Sequence, residues 1–302
     1  GHRRQRRFSH PALRRRPARV VAGAAQELEA APLAAAAHPR IHNGGRRAPA
    51  GSGRSAGPAG WDARRGRRRR PGLPGPWLDP GLASCTIGTG GQLLSPLATP
   101  AYDPKLRLHT FCHAIAGRWY LLGATLAAGL SLGWYREKFC PTGASFEELA
   151  AEAAQVPPGA GGLLYLPYLV GERTPHFDPQ ARGAFVGLTL HHGRAHAVRA
   201  IMEGVAFALR DSLEIMREVG PGPTQVVTAG GGGSRQPWQG ILAGVFGLPV
   251  MSAQGPERYD APVEPAPEEV ARYQALYAAY RELYPALRET FKVLGRSEGL
   301  QT

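Results

Sequence analysis

Four consecutive glycines (Gly230, Gly231, Gly232 and Gly233) separate an apolar run, 225–229, from an apolar stretch at helical spacing, 238–246. Such a run neither continues a strand nor opens a helix. It makes a turn at which backbone or a flat ligand can approach closely. A second turn of this kind, Gly88-Thr89-Gly90-Gly91, follows the apolar run 82–87. There, glycine N–H groups can approach an anion and Thr89 adds a hydroxyl donor. Either turn alone is weak evidence, since a tight structural turn accounts for it equally well. Together they define strand–glycine–turn units of an α/β domain.

The rest of the chain after residue 79 agrees. Residues 107–113 and 118–122 are expected to be strands around a turn at Gly117, and 163–166 a buried strand. Helices are expected over 124–139, with Trp134 on the apolar side, and over 146–155, 194–219, 238–246 and 268–294. In the 194–219 helix, Val198, Ile201, Val205, Ala208 and Leu209 recur at spacings of three and four. A strand begins at Pro249. Val270, Tyr273, Tyr277, Tyr280, Tyr284 and Leu287 make one apolar stripe on the last helix, and Pro285 is expected to kink or split it. The tyrosine stripe reads as core packing. There is no internal repeat.

Charge divides the chain. The net charge is +13, yet residues 1–75 carry 18 Arg and 3 acidic residues, and the remainder is near neutral. The arm, 1–78, is rich in Arg, Gly, Pro and Ala, has no Lys and shows little apolar periodicity. It cannot bury enough apolar surface to offset ordering, so disorder is expected. A basic nucleic-acid-binding arm using residues 64–70 and an organelle transit peptide are the functional alternatives. Cys85, Cys112 and Cys140 are few and widely spaced, and fit buried thiols in a reducing cytoplasm. No stretch approaches the ~20 apolar residues of a membrane span. His191, His192 and His196 read as solvated histidines, since no cysteine or carboxylate completes a metal site. Adjacent Glu172 and Arg173 read as a structural pair, with a role in shaping a site left open.

Residues 166–178 (LPYLVGERTPHFD), 182–188 (RGAFVGL) and 203–207 (EGVAF) carry a more specific signal. They match the Leu-Pro-Tyr-Leu-x-Gly-Glu-Arg-x-Pro-x-x-Asp, Arg-Gly-x-x-x-Gly-Leu and Glu-Gly-Val-Ala-Phe segments of the FGGY carbohydrate kinases. The chain resembles the carboxy-terminal half of that family, and xylulokinases most closely. Residues 80–89 (PGLASCTIGT) match its second phosphate loop. The resemblance implies an actin-like (ribonuclease H-like) α/β ATPase domain over 79–302. It implies ATP and Mg2+ as cofactors, and phosphorylation of D-xylulose to D-xylulose 5-phosphate in pentose catabolism. ATP and a ketopentose are the implied partners, in the cytoplasm, with no nucleic acid and no membrane; a homodimer is left open. The implied nucleotide-binding residues are Thr89, Gly90, Gly129, Gly231, Gly232 and Gln236. Related kinases often have Gln before the Trp, where this chain has Gly133.

Two departures qualify the resemblance. The family's proton-accepting Asp belongs to a Gly-Gly-Asp segment that does not occur here; Asp62 lies too far upstream and Asp79 too late. No catalytic or metal-ligating residue is therefore assigned, and the kinase is expected to be inactive as written; a non-catalytic remnant with weak nucleotide binding is the alternative. The passage 252–264 also leads into the last helix earlier than the family pattern, which reads as an internal deletion. The arm has a further explanation. Arg codons of the CGN type followed by C read, one nucleotide later, as GNC, which encodes Gly, Asp, Ala or Val. A frameshift between residues 70 and 79 would turn 64–70 (RRGRRRR) into the missing glycine-rich segment. The first methionine is Met202, which also reads as a fragment.

Overall fold

The computed structural model describes residues 61–62, 67–68, 81–140, 143–230, 232–233, 236–255 and 258–297. The expectations for the rest of the arm lie outside the described residues. Within it, β1 (Trp61–Asp62) and β2 (Arg67–Arg68) form an antiparallel pair.

The main sheet starts with β3 (Leu82–Ile87) and β4 (Gly91–Leu97), followed by β5 (His109–Cys112) and β6 (Trp119–Thr125). The next elements are α1 (Gly129–Phe139), α2 (Phe146–Ala154), β7 (Leu164–Leu166), β8 (Ala184–Val186) and α3 (Arg194–Val219). Last come β9 (Gln225–Ala229), α4 (Trp238–Phe246), β10 (Val250–Gly255), β11 (Arg258–Tyr259) and α5 (Pro267–Ser297). Seven strands form one sheet in the order β11-β10-β9-β3-β4-β6-β5. The pairs β3–β4, β4–β6 and β6–β5 are antiparallel, whereas β9 runs parallel to both β3 and β10. An antiparallel meander extended by parallel strands, with helices against it, is the actin-like α/β arrangement expected. Val226, Val227 and Thr228 of β9 are all buried, as a central parallel strand requires.

Two sequence expectations are corrected. The helix expected over 124–139 starts only at Gly129. Ala124 and Thr125 instead end β6, paired with Gln92 and Gly91. Ladder pairing overrides the helical propensity of this alanine- and leucine-rich stretch. The partner strand, β4, was not anticipated; it contains Gly91 and Pro96, residue types that disfavour strands. Pro96 lies beyond the end of the β3 ladder at Ser84↔Leu94 and opposite Tyr120 of β6. Cys112, expected to be a buried thiol, is exposed on β5.

Helix α3, 26 residues and about 39 Å long, is the spine of the domain. It packs against β4, β6, β7, α1, α2 and α4, and is buried on every side through its middle. Its Gly204 lies against β7: a Cβ there would sit 2.2 Å from the Tyr165 carbonyl oxygen. Helix α5 runs through Pro285 without the expected split, with Pro285 itself exposed. Tyr273, Tyr277, Tyr280 and Tyr284 are all buried, which makes the stripe core packing as read. The polar tips are satisfied internally. The Tyr273 hydroxyl donates to Glu203, which pairs with Arg199; the Tyr277 hydroxyl donates to Asp211; the Tyr284 hydroxyl donates to Asp178. Among the described residues no helix is long and apolar enough to cross a membrane.

Candidate functional site

The sheet edge formed by the C-terminal ends of β3 and β9 opens onto a cleft of about 880 Å³. One side is the turn after β3, with Ile87, Gly88 and Thr89. The opposite side comes from the turn after β9, with Gly232, Gln236, Pro237 and Trp238. Two glycine-rich turns far apart in sequence meet here because β9 pairs directly with β3. A Cβ on Gly232 would lie 3.0 Å from the Ile87 carbonyl oxygen, so glycine allows the two turns to touch.

The first turn is held from below by α1. The N–H groups of Ala128 and Leu130 donate to the Thr89 carbonyl at 2.9 and 3.0 Å, and Gly129 N–H donates to the Gly88 carbonyl at 2.8 Å. A Cβ on Gly129 would fall 2.5 Å from that Gly88 oxygen, which explains the glycine. The N–H of Gly129 is therefore committed to the turn, and its contribution to the cleft is close approach. Thr89 is exposed, and among the described residues neither its N–H nor its hydroxyl has a partner. These are donors available to an anion.

The remaining walls were not foreseen. Helix α2 supplies Phe146, Glu147, Ala150, Ala151 and Ala154, and α1 supplies Leu130 and Leu132. The α2 helix is fixed by a capping box between Ser145 and Glu148 and buries Leu149 and Ala153 on its other face. Its alanines look in sequence like the margin of a core stripe. Only their small size, which leaves room, could have signalled a wall. The Arg136 guanidinium lies 4.0 Å over the Phe146 ring and steadies it.

Thr89, Gly129, Gly232 and Gln236 thus line one cleft. Gly90 is part of the same turn, accepting from Gly88 N–H at 2.9 Å, and Gly231 lies outside the described residues. Glu147 is the one ionisable side chain among the described lining residues. The arrangement suits a ligand with an anionic end for the Thr89 turn and a flat apolar body for the slot between α2 and Trp238.

The other residues singled out in the sequence lie elsewhere. His192 Nδ1 accepts from Thr189 N–H, and His196 Nδ1 accepts from Gly193 N–H at the start of α3. Glu172 is buried and accepts from the Arg173 backbone N–H at 2.6 Å, while the Arg173 side chain is exposed. The structural pair is thus a backbone one. Burial pushes the Glu172 carboxyl up to about 7.

The C-terminal domain of the FGGY family of carbohydrate kinases matches residues 83–258. The chain belongs to the FGGY family. The match begins inside β3 and ends at β11, so it contains both turns of the cleft. This FGGY chain is 43% identical over 182 residues to a xylulose kinase of Bacillus subtilis, covering 59% of this chain and 36% of that one. It is 45% identical over 157 residues to a xylulose kinase of Lactococcus lactis, covering 50% of this chain and 30% of that one. The crystal structure of a xyloylose kinase from Brucella ovis superimposes with a TM-score of 0.66 at 29% identity. It covers 70% of this chain and 49% of that one. The FGGY chain spans about a third of the length of these curated relatives.

Proposed function

We propose that this chain is the nucleotide-holding half of an ATP-dependent sugar kinase whose sugar is D-xylulose. The observation that carries the reading is the meeting of the Thr89 turn and the Gly232 turn across one cleft. In this reading Thr89 and Gly90 receive the phosphates, and Gly129 lets the turn settle onto α1. Gly231, Gly232 and Gln236 lie along the adenosine, with the alanine face of α2 as the opposing wall. The sugar assignment rests on the likeness to xylulose kinases.

Phosphoryl transfer needs positioning, charge neutralisation and a base for the sugar hydroxyl. Among the described residues the cleft presents no Asp, His or Lys, and its single carboxylate does not make a Mg2+ site. Mg2+ is therefore given no residue. The chain binds nucleotide and does not turn it over. The same reading takes 79–302 as one kinase-derived unit shortened near 252–264, and 1–78 as an out-of-frame segment. The nucleotide sequence encoding residues 64–79 tests that part.

Titration of the 302-residue chain with ATP is expected to give millimolar dissociation, roughly −4 kcal/mol. A cleft open on one side excludes little water. A coupled assay with D-xylulose is expected to stay at background, since loss of a general base alone costs about 10²–10⁴-fold. Turnover of about 1–100 per second, usual for kinases, would overturn the inactive reading.

A further inference from the structure

The buried Glu172 lies outside the cleft but is joined to it by a continuous set of hydrogen bonds. It is 2% exposed. One carboxylate oxygen accepts from the Thr125 hydroxyl at 2.6 Å. The other accepts from Leu126 N–H at 3.2 Å and from Arg173 N–H at 2.6 Å. Two residues on, Thr174 N–H donates to the Ala124 carbonyl at 3.0 Å, and the Thr174 hydroxyl oxygen accepts from Ala124 N–H at 3.2 Å. The loop at 172–174 thus straps the end of β6.

That strapped end carries the turn at 88–90 from both sides. Thr125 pairs with Gly91, where the turn re-enters the sheet. Beyond Leu126, the N–H groups of Ala128, Gly129 and Leu130 hold the carbonyls of Gly88 and Thr89. Among the described residues, the only side-chain acceptor that fixes the backbone between these two anchors is Glu172, through Leu126 N–H. A carboxylate in this place costs desolvation, and simple packing of the loop would not require it. Three donors converge on it, two of them from the segment that bears the turn.

We propose that Glu172 is a positioning residue for the anion-receiving turn at 88–90, acting through Thr125 and Leu126. The ligand assignment rests on the nucleotide reading above; the positioning itself rests on the hydrogen bonds alone. Removing the carboxylate frees the β6–α1 connection, and the turn then loses its fixed donor geometry. None of the Glu172 hydrogen bonds reaches α2, Gly232 or Trp238, the walls of the slot. The loss should therefore fall on the phosphate end of a ligand and spare its base.

The test compares ATP and adenosine binding to the full chain. Glu172→Ala is expected to weaken ATP about tenfold or more, the scale of a hydrogen bond to a charged group, while adenosine stays within about twofold. Glu172→Gln, which keeps the acceptor for Leu126 and can donate to Thr125, is expected to restore most of the ATP affinity. Thr125→Val, which keeps the β-branched shape and removes one donor, is expected to give a smaller loss in the same direction. It carries the test if Glu172→Ala does not fold. Equal loss for both ligands, or loss for neither, would overturn the proposal. If the unaltered chain binds neither probe, the nucleotide reading falls, and amide exchange decides the rest. Faster exchange at Ala128, Gly129 and Leu130 in Thr125→Val supports positioning, and unchanged exchange there overturns it.

Discussion

The α3–α5 seam and the glycine-rich cleft differ in almost every chemical respect. The seam collects phenols, carboxylates and cations. Burial pushes Asp211 up to about 7 and His176 down to about 4. The Tyr168 hydroxyl bonds that of Tyr280 at 3.0 Å, and the His176 ring stacks on Tyr284 at 3.6 Å. Shifted titration of this kind is a usual mark of a functional site. Yet the seam encloses only about 150 Å³, and its buried tyrosines and Asp211 are paired with one another. The cleft offers about 880 Å³, backbone donors and small apolar walls, with one ionisable side chain among the described residues. Dense buried chemistry here holds two helices together, while the open and chemically plain surface is the one with room for a ligand.

Three substitutions would break or sharpen this contrast. The largest effect is expected from Tyr280→Ala in the seam. Deleting a buried aromatic costs about 3–5 kcal/mol, read as a fall in the denaturation midpoint. A loss below about 1 kcal/mol would mean that the tyrosines are not the adhesive of the seam.

Next in size is the pH response of Asp211. Its carboxyl ordinarily titrates at 3.8 and here is raised by burial to about 7. The fold therefore holds the proton more tightly than the unfolded chain does. Stability should be fullest below the ordinary value and decline as pH rises towards 7, by at most about 1.4 kcal/mol per pH unit. Glu172, raised in the same way, adds to the decline. Asp211→Asn should flatten part of that slope in denaturant titrations between pH 4 and 7. An unaltered slope would show that Asp211 titrates normally.

The smallest effect on the fold, though a clear one on the ligand, is expected from Gly232→Glu. It places bulk and negative charge where the two turns touch. ATP affinity should drop about tenfold, or ~1.4 kcal/mol, with a smaller fall in the denaturation midpoint than for Tyr280→Ala, because the added Cβ crowds the Ile87 carbonyl oxygen. Unchanged ATP titration would remove the cleft from the nucleotide reading.

The sequence read the fold well wherever one pattern dominated. The bounds of α3, β9 and α4 follow from apolar spacing and the glycines beside them. The meander was read less well. The β4 strand carries a proline and opens on a glycine, and only its long-range partners β3 and β6 make it a strand. The same cause hid the true start of α1. At the site, the glycine turns alone were ambiguous; the family resemblance singled out Thr89, Gly129, Gly232 and Gln236, and these four line one cleft. The α2 wall was not, because an alanine facing a cleft and an alanine beside a core look alike in sequence. The link from Glu172 to the turn was equally hidden, since it joins residues 46 and 47 positions apart.

The parallel pairing of β3 with β9 also sets an order of events during synthesis. Gly81 and Thr224, which bond at the start of that ladder, are 143 positions apart. At about 5–20 residues per second, β3 emerges several seconds or more before its partner exists. During that interval it can close only the local meander with β4, β6 and β5. Its other edge stays open to pairing with another chain. The cleft, which needs both strands, is then among the last features to form, and a ribosome-bound intermediate of this domain would be a sheet with one sticky side and no cleft.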